Sequence, residues 1–270
     1  MAREPKRLDR LFESNRASPS PPAACRIVDT RLPVSSDGPP APYALGVTWP
    51  ETEDELIAVQ ERLAQETPEP WMSPSRPYAI GGCFVCFPRG KQGAGSAGDP
   101  GWAAAVVFEG ARVVARGAVR GEAGAPYQAG LLALREGKLL ETAVRALGVM
   151  PDVLLVDATG RDHPRRAGLA LHLGAVLGIP TVGVTHRPLV AQGEWPPDDP
   201  GARSELELDG EVVGFWLRTR AGTRPLAVHA AWRTDPETAA AVVLAALAGR
   251  RAPEPLRLAR TLARTARAES

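Results

Sequence analysis

The chain has 270 residues, a formal net charge of +1, 44% hydrophobic residues and 23% charged residues, the balance of a globular chain that buries a real core. With so little net charge there is no global basic field, so a nucleic-acid partner would have to be met by a local patch. No apolar run approaches the roughly 18 residues of a membrane span, and the N-terminus lacks the apolar stretch of a signal peptide, so the expected location is cytoplasmic with no membrane partner.

In chain order, residues 1–44 are rich in Pro, Ser and Arg and hold little apolar surface; they read as a disordered N-terminal arm. A domain over 45–250 follows. "WPETEDELIAVQERLAQ" opens it as a helix, with Pro50 early, acids in the first turn, and Leu56, Val59 and Leu63 at helical spacing. "YAIGGCFVCF" reads as a strand, and "WAAAVVFEGARVVARGAV" as two more around a turn at Glu109-Gly110. The stretch from Gln128 to Leu147 is helical. "PDVLLVD" is a buried strand, "HPRRAGLALHLGAVLG" a helix, and "IPTVGVT" another buried strand. "SELELDG" and "EVVGFWLRT" form a hairpin and "PLAVH" a last strand. Thr234, Pro236 and Glu237 open the next helix as a capping box. Residues 251–270 form a basic C-terminal helix or tail whose arginines read as a solvated face, the lesser alternative being contact with phosphates. Three strands, then alternating helices and strands, describe a single α/β domain.

Two of the three cysteines stand in "GGCFVCFPRG", as Cys83 and Cys86. Residues three apart on a strand point to opposite faces, so these two cannot converge on one metal. They read as small core residues. Only three of the 32 basic residues are lysines, which together with the abundant Ala, Gly and Pro points to codon bias before function.

Chemistry is expected where strands end in an open α/β sheet. Asp157 closes a buried apolar strand, a costly position for a carboxylate unless it caps, pairs or binds a metal. His163, Arg165 and Arg166 lie within ten residues of it. Metal carboxylate, histidine and guanidinium groups together equip phosphodiester chemistry. Glu136 sits among leucines, where it pairs with Arg135, looks to solvent, or carries a functional role, alternatives the sequence pattern leaves open. His172 reads as a core histidine.

"APYQAGLLALRE", "PDVLLVDATGRDHPRRAGLALHLG" and "IPTVGVT", in this order and spacing, resemble the endonuclease V family over roughly residues 47–250. That resemblance implies a ribonuclease H-like mixed sheet flanked by helices. It implies Mg²⁺-dependent (or Mn²⁺-dependent) hydrolysis of a phosphodiester 3′ to deoxyinosine, with inosine in RNA cut by some members, in a monomer acting in DNA repair. By the same resemblance Asp157 and Glu136 are metal ligands, and His163 contacts the scissile region. Pro126 and Tyr127 match the wedge that stacks into the duplex, while Arg165, Arg166 and His186 join the nucleic-acid-binding set.

The departures from the family pattern bear on activity. The family strand reads Gly-Gly-Val-Asp-Val-Ser-Phe, and its metal aspartate falls in register on Phe84, which cannot ligate Mg²⁺. The family lysine after Gly-Val-Ala is His186, and a Gly-His pair becomes Ala231-Trp232. The wedge continues as Gln128-Ala129, where relatives have Pro or Ser-Gly. Losing one metal carboxylate implies a rate loss on the order of 10²–10³, with Asp162 and His186 as candidates to compensate. The alternative is a catalytically degenerate paralogue that binds inosine-containing or mismatched duplex without cutting.

Overall fold

The structure is a computed structural model that describes residues 26–29, 47–75, 77–90 and 93–270. One mixed sheet of nine strands runs through it, in the order β1-β4-β3-β2-β5-β6-β9-β8-β7. The strands are β1 (Arg26–Asp29), β2 (Ala79–Cys86), β3 (Pro100–Glu109), β4 (Arg112–Glu122), β5 (Val153–Val156), β6 (Thr181–Thr185), β7 (Arg203–Leu208), β8 (Glu211–Leu217) and β9 (Leu226–Ala230). β2, β5 and β6 are parallel at the centre, and antiparallel meanders extend both sides. β5 is buried along its whole length, as expected of a parallel strand covered on both faces. Within the expected N-terminal arm, Arg26–Asp29 add a strand parallel to β4; residues 1–25 and 30–44 lie outside the described residues.

Helices α1 (Glu53–Gln65), α2 (Leu132–Arg145) and α3 (Leu169–Leu177) share one core with Cys83, Leu154 and Val156. α1 starts on a capping box in which Thr52 and Glu55 satisfy each other's backbone donors, which leaves Pro50 ahead of the helix instead of in its first turn. α2 begins four residues later than its periodicity suggests, because Gly130 adopts φ +81° and closes a turn before it. α3 begins at Leu169, not at His163. Arg166 sits in the left-handed region at φ 54°, which interrupts any helix through "HPRR".

α4 (Pro236–Ala245) and α5 (Glu254–Ala268) cover the opposite face. The N-cap of α4 is Asp235, accepting from the Thr238 amide, and not Thr234. The Thr234 hydroxyl instead donates to the Thr181 carbonyl and accepts from the Ala231 amide, tying the helix entry to β6.

The C-terminal helix is docked, not loose. Leu256, Ala259, Ala263 and Ala266 are buried at three- and four-residue spacing, and their small size lets α5 lie close to β2 and β3. Gly82 permits the approach: a Cβ there would stand 2.5 Å from the Pro255 carbonyl carbon. Cys83 joins the α1–α3 core while Cys86 and Phe84 face α5, the opposed placement that strand alternation requires. Among the described residues no helix is long and apolar enough to cross a membrane.

Candidate functional site

Asp157 follows the last residue of β5. Cys83 pairs with Val156 in the parallel register, so one residue further along Phe84 stands beside Asp157, on the α5 side of the sheet. Glu136 comes in from α2; its charge and that of Asp157 both act on the Cys83 thiol. Burial pushes the Glu136 carboxyl up to about 8, the Asp157 charge adds to the rise, and Arg135 opposes it. Arg135 itself turns away, donating to the Ala125 carbonyl at 2.6 Å and pairing with Asp99 at 3.4 Å.

A guanidinium occupies the ground between Asp157 and Phe84. Arg260 Nη2 donates to Asp157 Oδ2 at 2.8 Å, and Arg260 Cζ lies 5.2 Å from the centre of the Phe84 ring. Arg264, one turn on, lies 5.8 Å from the same ring. The donor set therefore does not fit a divalent ion. Mg²⁺ requires hard oxygen ligands in octahedral array, whereas here one carboxylate pairs with arginine and a phenyl ring fills the neighbouring position. No group of three His, Cys, Asp or Glu able to hold a metal occurs among the described residues.

Beside this centre lies a cavity of about 160 Å³, lined by Tyr127, Gly130, Asp157, Thr159 and His163 among others. Tyr127 is 55% exposed at its rim, while its amide donates to the Ala94 carbonyl at 2.7 Å. The loop that carries it is pinned at the Gly130 carbonyl, which meets Gln60 Nε2 at 3.1 Å, His163 Nε2 at 3.0 Å and Arg165 Nη2 at 3.2 Å. Arg165 Nε donates to Gln60 Oε1 at 2.6 Å and closes the ring of contacts. Burial, the largest cause, lowers the His163 pKa to about 4. His163 and Arg165 thus hold the loop on which Tyr127 and Pro126 sit.

Other sequence candidates are placed elsewhere. Arg166 turns to the β7–β8 hairpin, bonding the Leu208 carbonyl at 2.7 Å and pairing with Asp209 and Glu211. Asp162, considered above as a substitute ligand, is fully buried and committed. Its carboxylate accepts from the amides of Leu189 (2.6 Å), Val190 (2.9 Å) and Ala191 (2.7 Å), so it is not available to swing toward an ion. Trp232 is 1% exposed and belongs to the α1–α3 core. His186 follows β6 on the surface; burial and the charges of Arg251, Arg260 and Arg224 lower its pKa despite Asp157. His172 is a core residue, its ring stacked on Trp49 at 4.5 Å. A larger groove of about 590 Å³ lies along β7, and its lining includes Leu208 and Asp209 but neither Asp157 nor Tyr127.

Three contributors carried little signal in the sequence. Arg260 and Arg264 belonged to a face read as solvated, and their 3–4 spacing along α5 was the one available signal. Gln60 carried no signal beyond its place on the apolar side of α1.

Residues 67–261 match the family profile for endonuclease V. The endonuclease V of Methanopyrus kandleri is 38% identical over 216 residues, covering 79% of this chain and 88% of its own. The crystal structure of the Streptomyces avermitilis endonuclease V superposes with a TM-score of 0.73 at 37% identity, covering 82% of this chain and 95% of that one. The Ciona intestinalis endonuclease V, solved with a 24mer DNA containing an inosine followed by a ribo-adenosine, shares the fold at a TM-score of 0.66 and 23% identity, covering 80% of this chain and 98% of that one. The mixed sheet and its flanking helices are accordingly ribonuclease H-like, and the chain belongs to the endonuclease V family of metal-dependent DNA-repair nucleases.

Proposed function

We propose that this chain recognises a displaced inosine-type base in nucleic acid through the Tyr127 loop and its cavity, and binds that lesion without metal-dependent cleavage at Asp157. The observation that carries this reading is the contrast between the two halves of the site. The wedge loop is pinned and its aromatic ring exposed over a base-sized cavity, while the ground beside Asp157 holds a guanidinium and a phenyl ring. A flat ring beside a cavity is the equipment for taking a base out of its stack and replacing it there. Pro126 stiffens the entry to the ring, and Arg165 and His163 fix the loop from below.

The second reading is the family reaction, Mg²⁺-dependent hydrolysis 3′ to deoxyinosine. It is favoured by the retention of both Asp157 and Glu136 about the same centre. One experiment decides between them. Labelled duplexes with deoxyinosine, a mismatch or only normal pairs, and inosine-containing RNA, are incubated with the protein in EDTA, Mg²⁺ or Mn²⁺. Preferential binding of the inosine duplex in EDTA with no nicking in either metal is expected. Tyr127→Ala should weaken that binding about 10-fold, the worth of a stacked base. Nicking by the wild type that Asp157→Ala abolishes would overturn the binding-only reading.

A further inference from the structure

The basic groups near Asp157 extend beyond its ion pair with Arg260. Arg260 uses Nη2 on Asp157, and its buried Nε has no hydrogen-bond partner among the described residues. Arg264, exposed on the next turn, shares the Phe84 ring with it and has no carboxylate paired to it among the described residues. On the far side, Arg251 Nε donates to the Arg224 carbonyl at 3.1 Å, and the Arg224 guanidinium lies over Trp195 at 5.6 Å. His186 stands within electrostatic reach of Arg224, Arg251 and Arg260. Two guanidinium groups thus stand at the Phe84 ring, and among the described residues only one of them has a carboxylate partner, Asp157. Such an excess is unfavourable alone and is relieved by an anion.

We propose that Arg260 is the resident cation of this site, holding the place beside Asp157 in lieu of a divalent metal, and that with Arg264 it takes up a backbone phosphate of the bound nucleic acid. This deepens the binding reading above and rests on it for the identity of the nucleic acid. The chemistry favours arginine in this role. A guanidinium stays charged, carries five donors in a planar fork that suits phosphate oxygens, and stacks on an aromatic face. Phe84 supplies that face, where an aspartate would supply a ligand. A single-charged, covalently tethered fork neutralises Asp157 and attracts a phosphodiester, but it does not acidify water as a bound metal does. Phe84 and Arg260 therefore act as a pair: the ring removes one carboxylate, and the helix that packs on Gly82 delivers the cation.

The test has two arms, so that its failure is distinct from failure of the binding reading. In the first, Mn²⁺ binding is followed by electron paramagnetic resonance without nucleic acid, for wild type, Phe84→Asp, Arg260→Ala and Phe84→Asp/Arg260→Ala. Wild type and both single variants are expected to bind no stoichiometric Mn²⁺, and the double variant one equivalent. Stoichiometric Mn²⁺ on the wild type would overturn the assignment, as would a folded double variant that binds none. In the second arm, deoxyinosine duplex is titrated in EDTA across a range of salt. Arg260→Ala is expected to weaken binding 10-fold or more and to lower the salt slope by about 1, the signature of one lost phosphate contact, with Arg260→Lys recovering the slope. Circular dichroism checks that each variant folds. If Tyr127→Ala lowers affinity while Arg260→Ala changes neither affinity nor slope, lesion binding stands and the phosphate role of Arg260 falls. If wild type prefers no inosine duplex, the binding reading falls while the Mn²⁺ arm still decides what occupies the cation position.

Discussion

His163 Nε2 lies 3.0 Å from the Gly130 carbonyl oxygen while its Nδ1 accepts the Arg165 amide at 3.1 Å. The two bonds demand opposite roles of the two ring nitrogens, so the imidazole is the neutral form protonated on Nε2. It thereby acts as a strut beneath the Tyr127 loop, and Gln60 and Arg165 converge on the same carbonyl.

Removing one strut should loosen the loop and leave the fold intact. Gln60→Leu deletes both the donor to Gly130 and the acceptor for Arg165 Nε in a side chain that is 1% exposed. The net worth of such bonds is about 1 kcal/mol, so affinity for a deoxyinosine duplex should fall roughly 5-fold. Hydrogen exchange of residues 127–131 should quicken while that of β5 stays unchanged. Unaltered exchange in the loop would show that these bonds do not hold it.

Asp162 should prove to be a stability residue. Three backbone amides from 189–191 converge on its carboxylate, and His229 Nδ1 lies 3.5 Å away. Amides aimed at a buried charge lose their partner together when it is removed. Asp162→Ala should cost on the order of 3 kcal/mol, read by urea unfolding, and Mn²⁺ binding should be the same before and after. A change in metal binding at unchanged stability would return Asp162 to the site.

Most of the framework was legible along the chain, because each element announces itself within its own residues. β5 is four apolar residues between turn signals, and α3 is a run of buried aliphatics that ends on Gly178 in the left-handed region. What was not legible were contacts between distant segments. Arg260 meets Asp157 across 103 residues, and a basic helix face looks the same in sequence whether it faces water or a carboxylate. Asp162 looked like a spare ligand because the amides that claim it come from a segment 27 to 29 residues later. Phe84 drew notice only through the resemblance to the family pattern, since nothing in an apolar strand singles out one phenylalanine.

The two strand cysteines should differ from each other in reactivity. Burial raises the Cys83 thiol far above its ordinary value, with the charges of Asp157 and Glu136 adding to the rise. Burial also raises Cys86, but Arg267, Arg264 and Arg89 pull it back. The thiolate is the reactive form, so alkylation of native protein at pH 8, resolved by mass spectrometry, should label Cys86 slowly and Cys83 only on unfolding. Equal rates would contradict the opposed faces seen here.

Acid should weaken the fold through His172. Burial lowers its pKa from 6.5 to about 4, with the ring stacked on Trp49 inside the α1–α3 core. Between those two values the unfolded chain binds a proton that the folded chain does not, so stability is full above about pH 6.5 and declines as pH falls toward 4. For one such histidine the loss at pH 5 relative to pH 8 is about 2 kcal/mol. Urea unfolding of wild type at the two pH values reads the sum of all shifted groups, in which His163 acts in the same direction as His172 and Glu136, whose carboxyl is raised, in the opposite one, so the His172 share is read from the variant. His172→Phe keeps a ring against Trp49 and removes the titration, so its pH 8 to pH 5 loss should be smaller by about 2 kcal/mol. An identical pH dependence in the variant would mean that His172 takes its proton within the folded core.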